Sequence, residues 1–407
     1  MTDSPSAGYP GADSPGADSP GADSPGADSP TVRFLTAEGA FEPTAGAEEY
    51  ASYLERIGET ELRRFYRDMA VVRRFDQEGT NLQRQGQMAL WVPSHGQEGA
   101  QVGSAYAARP QDHIFPSYRE HAVGLVRGID VLSIVELLRG NTHGGWDPTD
   151  PSNGNFHGYC LVIGSHSLHA TGYAMGLQRD GLVGTGDPEV DSAVLAYFGD
   201  GATSQGDVSE AFVFSASSQT PNVFFLQNNH WAISVPVTVQ SRTPLYLRSR
   251  GFGIPSVQID GNDVLASYAV TAKHLDEARA GNGPQFIEAL TYRVGAHTSS
   301  DDPSKYADPA QHDLWVSRDP IVRLEKHLRS LGEGDAFFAE VAAEAEDFAA
   351  DIRHRTLALT PPDKALIFDN VYSEPHPVVT EQKQWLERYE ASFDTSPEAS
   401  SVKKEQA

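Results

Sequence analysis

One cysteine in 407 residues is the most restrictive scarcity in this chain. Cys160 has no partner for an intramolecular disulfide, and one thiolate builds neither a zinc cage nor an iron–sulfur cluster. Basic residues are also few: 31 Lys and Arg face 56 Asp and Glu, for a formal net charge of -25. Nucleic-acid binding draws on clustered Lys and Arg that release counterions from phosphates, so this balance predicts no nucleic-acid partner. No run of about 18 apolar residues occurs, and the N-terminus has neither a basic n-region nor an apolar h-region. The expectation is a soluble, cytoplasmic protein with no membrane association.

Residues 11–30 are four copies of Gly-Ala-Asp-Ser-Pro. A five-residue unit without a large apolar side chain cannot offset its ordering entropy, so residues 1–33 are expected to be a disordered arm. The arm holds Asp3, Asp13, Asp18, Asp23 and Asp28 and no base before Arg33, which leaves most of the negative charge on the folded part. A second disordered tail is expected over 395–407, where Ser, Glu and Lys dominate.

Between the tails the pattern is mixed α/β. Leu62, Phe65, Tyr66, Met69 and Val72 recur at helical spacing. Val131, Ile134, Val135 and Leu138 do the same, with Asp130 as the expected N-cap and Gly140 as the stop. Ala193–Phe198, Asn222–Leu226, Val257–Ile259 and Phe286–Leu290 are short apolar runs bounded by turn residues, the signature of buried parallel strands. Strands alternating with helices imply a parallel twisted sheet covered by helices on both faces, with ligands at the carboxyl ends of its strands.

Two of those ends carry chemistry. Val194–Phe198 runs into Gly199-Asp200-Gly201-Ala202-Thr203-Ser204, and the next strand ends at Gln227-Asn228-Asn229. The 26 residues between Gly201 and Asn228 suffice for one crossover helix, so the two ends can be neighbours. Asp200 and Asn229 could then offer oxygens to one hard cation such as Mg²⁺, and the glycines let backbone N–H groups approach an anion. Gly-Asp-Gly alone is more often an ordinary tight turn. Paired with an Asn at this spacing, it resembles the thiamine diphosphate fingerprint, and in particular the alpha subunits of the two-chain decarboxylase component of 2-oxo acid dehydrogenase complexes.

The resemblance covers about Phe34 to Phe393, taken as one domain over 34–394 with helical extensions. It implies Mg²⁺ ligation by Asp200, Asn229 and the carbonyl of Trp231, with Gly199, Gly201 and Ala202 against the cofactor. Tyr118-Arg119 resembles a pair whose Arg binds the cofactor diphosphate, an anion matched by a planar fork of donors. Ile163-Gly164-Ser165-His166-Ser167 is similar to the segment that contacts the aminopyrimidine and thiazolium, which implicates Ser165 and Ser167. His166, Ser167 and His169 depart from the more apolar or amide residues of relatives. Gly295-Ala296-His297-Thr298-Ser299-Ser300-Asp301-Asp302 resembles the active-site loop, which makes His297 the catalytic and cofactor-side imidazole. Thr298 stands where mammalian relatives carry a regulatory phosphoserine. His95, in Pro93-Ser94-His95-Gly96-Gln97, is open between a substrate-channel and a structural role. A zinc site from His157, Cys160, His166 and His169 fits no ligand spacing.

The family places the carboxylate that activates the aminopyrimidine on a separate beta subunit. The resemblance therefore implies a heterotetramer with that subunit, an inactive isolated chain, and acyl transfer from a 2-oxo acid to a lipoylated dihydrolipoyl acyltransferase. Gly261-Asn262-Asp263 and the 300–306 segment favour branched-chain acids such as 3-methyl-2-oxobutanoate, while Thr203–Asp207 also resembles bacterial pyruvate enzymes. The competing class, a nicotinamide-dependent oxidoreductase, lacks a Gly-x-Gly-x-x-Gly turn after any strand.

Overall fold

The computed structural model describes residues 31–142, 144–369 and 371–393. The pentapeptide repeats and the 395–407 tail lie outside them. The described chain forms two compact units that divide between Leu357 and Ala358, within the span expected to be one domain.

The first unit is built on seven strands: β1 (His113–Phe115), β2 (Val194–Gly199), β3 (Asn222–Asn228), β4 (Trp231–Ala232), β5 (Val235–Pro236), β6 (Ser256–Asp260) and β7 (Gln285–Leu290). Five of them form an all-parallel sheet in the order β1-β2-β3-β7-β6, and β4 and β5 make a separate antiparallel hairpin. The four expected strands are present, the first shifted by one residue and the other three longer by one or two. β1 escaped the sequence reading because three residues ahead of a proline carry no usable periodicity.

Alternation along the strands sorts the core into two halves. Leu195, Tyr197, Val223, Phe225, Ile287 and Ala289 face one cluster, shared with the helices Glu98–Ala107 and Val264–Arg279. Val194, Ala196, Phe198, Phe224, Leu226 and Phe286 face the other, shared with the helices Ser165–Arg179 and Gly206–Ser218. Both faces are therefore covered, which explains why these strands are continuously apolar.

Two boundaries differ from expectation. Residues 31–33, expected in the arm, are placed in the fold: Thr31, Val32 and Arg33 are buried, and Val32 N–H donates to Gln258 O at 2.9 Å. The helix Leu132–Arg139 starts one residue late, with Val131 as N-cap, because the Asp130 carboxylate accepts from Leu132 N at 3.1 Å as an Asx turn before the helix. Gly140 ends it with φ 83°, as read from the sequence. The second unit holds the helices Leu366–Asp369 and Pro377–Ala391, and leaves Trp385 and Tyr389 exposed on one stripe of the latter, with Phe393 exposed just beyond its end.

Candidate active site

Because the sheet is parallel, the segments after β1, β2, β3 and β7 emerge at the same edge. Register puts Gly199 beside Gln227 and Asn228 beside Leu290. The residues just beyond those pairs, Asp200, Asn229 and Arg293, are thereby brought together without any of them being close in sequence.

Asp200 opens a 3-10 turn, Asp200–Ser204, and is 1% exposed. Its Oδ2 accepts from Gln240 Nε2 at 3.0 Å, whereas Oδ1 is buried with no hydrogen-bond partner. Burial pushes its pKa up to about 6, only partly offset by the Gln240 amide, neighbouring backbone dipoles and Arg293. A Cβ on Gly201 would lie 2.9 Å from that of Ala232, so the glycine permits the turn to nest on the β4–β5 hairpin. Asn229 is buried too, and its Oδ1 accepts a long 3.3 Å bond from Trp231 N. The hairpin is strained: His230 and Ile233 adopt φ of 71° and 56°, a left-handed conformation that β-branched residues rarely accept. A buried carboxylate oxygen without a partner, an amide oxygen and a backbone carbonyl form a set of hard donors that suits a small divalent cation.

The opposite wall is cationic. Arg119, in the segment after β1, donates to Pro93 O and, at 3.1 Å, to His297 O. Its guanidinium also lies 5.5 Å from the Tyr118 ring centroid. A buried network holds this segment in place: Gln101 Nε2 donates to Arg119 O at 3.1 Å and to Gln227 Oε1 at 3.0 Å, and Gln227 Nε2 donates to Glu120 Oε1 at 2.6 Å. Arg293 donates to Ile233 O and Tyr306 Oη at 2.6 Å and, weakly, to Trp231 O at 3.5 Å.

His297 Nδ1 lies 3.3 Å from Arg119 Nη2 and 3.4 Å from Arg293 Nη1. Facing two donors, Nδ1 must be the unprotonated nitrogen, which assigns the ring proton to Nε2. Burial first, then the two guanidiniums, lower its pKa to about 4, against a small opposing pull from Asp301. The imidazole is thus neutral at physiological pH and can donate from Nε2. Asp301 fixes the loop by accepting from His297 N at 2.8 Å and from the Tyr306 hydroxyl.

Tyr118, Arg119, Gly199, Asp200, Gly201, Ala202, Asn229, Trp231 and His297 line one cavity of about 190 Å³. Ser165 and Ser167 do not: Ser165 donates to Val162 O at 2.8 Å, and Ser167 is fully buried. Ile163 of the same segment lines the cavity in their stead. His95 lines neither this cavity nor the neighbouring one, His166 holds Tyr197 O through Nε2 at 2.6 Å, and His169 is exposed. Among the described residues no group of three or more His, Cys, Asp or Glu is placed to hold a metal ion. Sequence reasoning passed over Arg293, Gln240 and Gln227; an arginine three residues past an apolar strand was the available signal for the first.

Residues 66–355 match the family model described as the dehydrogenase E1 component. The chain belongs to that family. It is 42% identical over 336 residues to the 3-methyl-2-oxobutanoate dehydrogenase subunit alpha of Mycobacterium tuberculosis, covering 82% of this chain and 89% of the relative. Its identity to the pyruvate dehydrogenase E1 component subunit alpha of Acholeplasma laidlawii is 34%, over 81% of this chain and 93% of that one. The corresponding Staphylococcus aureus subunit is 35% identical over 65% of this chain and 69% of its own length. E1 dehydrogenase components are thiamine diphosphate-dependent oxidoreductases, and the expected α/β class and enzyme class both hold for this chain. Among the described residues no helix is long and apolar enough to cross a membrane.

Proposed function

We propose that the chain is the alpha subunit of a branched-chain 2-oxo acid dehydrogenase, contributing the diphosphate and Mg²⁺ half of an active site completed by a beta subunit. The observation that carries this reading is the buried, unpartnered Asp200 Oδ1 beside Asn229 and the Trp231 carbonyl, with Arg119 and His297 on the facing wall. Asp200, Asn229 and Trp231 O would hold Mg²⁺. Arg119, Tyr118 and the Gly199–Ala202 turn would seat the diphosphate. The chemistry supplied by bound thiamine diphosphate is nucleophilic addition to the keto carbon with loss of carbon dioxide. Arg119 orients that anion, Glu120 and the glutamine network keep Arg119 from moving, and His297 Nε2–H offers a hydrogen bond to the substrate side.

A cavity of about 190 Å³ falls short of the roughly 300–1,000 Å³ of ordinary ligand pockets. Its lining includes the exposed Ile163 and Ile233, and Leu161 and Val162, next to Ile163 in sequence, are exposed as well, a run of apolar surface of the kind that marks a partner's contact. Both features support a wall supplied by the beta subunit, and a lipoylated acyltransferase as the acceptor of the acyl group. The 42% relative favours the branched-chain substrate over pyruvate.

The test is co-production with the beta subunit, followed by decarboxylation assays with Mg²⁺ and thiamine diphosphate. kcat/KM is expected to favour 3-methyl-2-oxobutanoate over pyruvate by at least ~10-fold, the discrimination that about one methylene supplies. A pyruvate preference would move the assignment to a pyruvate dehydrogenase, and no turnover of either acid would sink it.

The raised Asp200 pKa makes a second measurement informative. A carboxyl that protonates near pH 6 binds a cation only after losing its proton. Mg²⁺-dependent cofactor affinity, corrected for the cofactor's own protonation, should be flat above pH 7 and roughly tenfold weaker at pH 5. Calorimetry showing no decline to pH 5 would remove Asp200 from the metal site.

A further inference from the structure

Next to the cofactor cavity lies a second one, of about 230 Å³, whose walls include Trp231, Tyr292, Arg293, Tyr306, Ala307 and His312. Trp231 lines both cavities; Tyr292 and Arg293 line only the second. Nothing in the reading above uses this space.

Its donors are in excess. Arg293 Nε is buried without a hydrogen-bond partner, and Tyr292 Oη, approached by the Trp231 side chain, is buried with no acceptor for its O–H, in residues 4% and 1% exposed. Buried donors are costly to leave unsatisfied, so a ligand with acceptor oxygens gains where water-filled surface would not. The charge is also one-sided. In a chain of net charge -25, no Asp or Glu lines the cavity. The hydrogen bonds of Arg293 go to Trp231 O, Ile233 O, Tyr306 and His297, none of them a carboxylate. The acids nearby are turned to other partners or lie outside the lining: Asp301 accepts from Tyr306, and Asp308 acts on Tyr292 only through its charge.

The remaining walls are mainly aromatic and aliphatic, with Ser304 and His312 among them. Tyr292 is stacked on Trp315 at 5.8 Å with an 8° interplanar angle, and Trp231 sits 5.1 Å from Tyr306. A cavity of about 150 Å³ accepts a benzene ring, so the larger volume here has room for a ring or branched chain with a carboxylate attached.

We propose that this second cavity binds a small organic carboxylate with a compact apolar body, its oxygens taken by Arg293 Nε and Tyr292 Oη and its body held between the aromatic walls. The site is independent of the activity proposed above. It adjoins the cofactor through Arg293, which also holds the Trp231–Ile233 hairpin and His297.

Phenylacetate is the probe, titrated calorimetrically into the assembled complex with Mg²⁺ and thiamine diphosphate saturating, so that the first cavity is filled, and again without cofactor. One phenylacetate per chain is expected under both conditions, with the neutral isostere phenylacetamide at least ~10-fold weaker because only the anion engages the guanidinium. Tyr292→Phe removes a hydroxyl that has no acceptor, so the protein should keep its circular dichroism and Tm while phenylacetate binding weakens about tenfold. Ala307→Trp, which fills the cavity, should abolish binding. The proposal is overturned if phenylacetate shows no saturable binding, if cofactor displaces it, if phenylacetamide binds equally well, or if a folded Ala307→Trp or Tyr292→Phe variant binds as the parent does.

Discussion

Replacing Asp200 with Asn is expected to weaken Mg²⁺-dependent thiamine diphosphate binding at least ~100-fold while making the metal-free protein more stable above pH 6. The first half follows from ligand chemistry: a neutral amide replaces the only carboxylate on the candidate metal wall, and even indirect partners of metal ligands are worth 10- to 100-fold. The second half follows from burial. The folded-state pKa of Asp200 is raised from 3.8 to about 6, so the fold disfavours the ionised form. At ~1.4 kcal/mol per unit, the penalty is on the order of 3 kcal/mol. It is present in full above about pH 6, shrinks as pH falls through the window between 6 and 3.8, and vanishes below it. Asn keeps an acceptor for Gln240 Nε2 and carries no charge, so its advantage should appear at pH 8 and be absent near pH 4. Chemical denaturation of the metal-free complex at the two pH values, with cofactor titration of the same variant, checks both halves. Equal destabilisation at both pH values would mean that Asp200 is a structural carboxylate rather than one held ready for a cation.

Asp112→Ala is expected to destabilise the chain by about 3 kcal/mol without touching the candidate active site. Asp112 is fully buried at the opposite end of the sheet, just before β1. Its carboxylate accepts from Arg279 Nε at 3.0 Å and from Arg279 Nη2, from Ala193 N at 2.9 Å and from Arg109 N at 2.7 Å. Removing it strands a guanidinium whose side chain is 4% exposed, along with two backbone N–H groups. Arg279 keeps one bond to the partly exposed Asp276 at 2.8 Å, which places the cost at the lower end of the range for a broken buried pair. A Tm lowered by several degrees, with the cofactor affinity of the folded fraction unchanged, is the expected result. The double variant Asp112→Ala, Arg279→Met should recover part of the loss, because no buried charge is then left unpaired. A double variant as unstable as the sum of the singles would show that the backbone N–H groups, not the ion pair, dominate.

The two predictions draw on different kinds of information. Asp200 was visible in the sequence because a buried strand followed by Gly-Asp-Gly is a local pattern: apolar run, turn residues and acid all lie within ten positions. The same holds for Asn229, and for His297 and Arg119 once the family resemblance is admitted. Asp112 and Arg279 gave no such signal. Their pairing spans 167 residues, and either would pass for a surface charge in its own segment. Ser165 and Ser167 show the reverse case: the segment was found, but the residue of it that lines the cavity is Ile163, just before the helix that starts at Ser165, and the exact start of a helix is not readable from residue types.

Composition, periodicity and a few turn motifs determined by themselves that this is an α/β chain with a parallel sheet and that one cysteine can form no intramolecular disulfide, and they placed the candidate chemistry after the second and third strands. These are local properties, set by side-chain size and polarity along a few residues. Only the tertiary structure decided that β1 lies at the edge beside β2, so that Arg119 faces Asp200, and that β7 lies beside β3, so that Arg293 reaches the hairpin and His297. It also decided that the aromatic residues after β3 and β7 enclose a second cavity with unpaired donors. Strand order and register arise from packing among segments far apart in sequence, and a carboxylate's pKa or a guanidinium's missing partner exists only once that packing has excluded water.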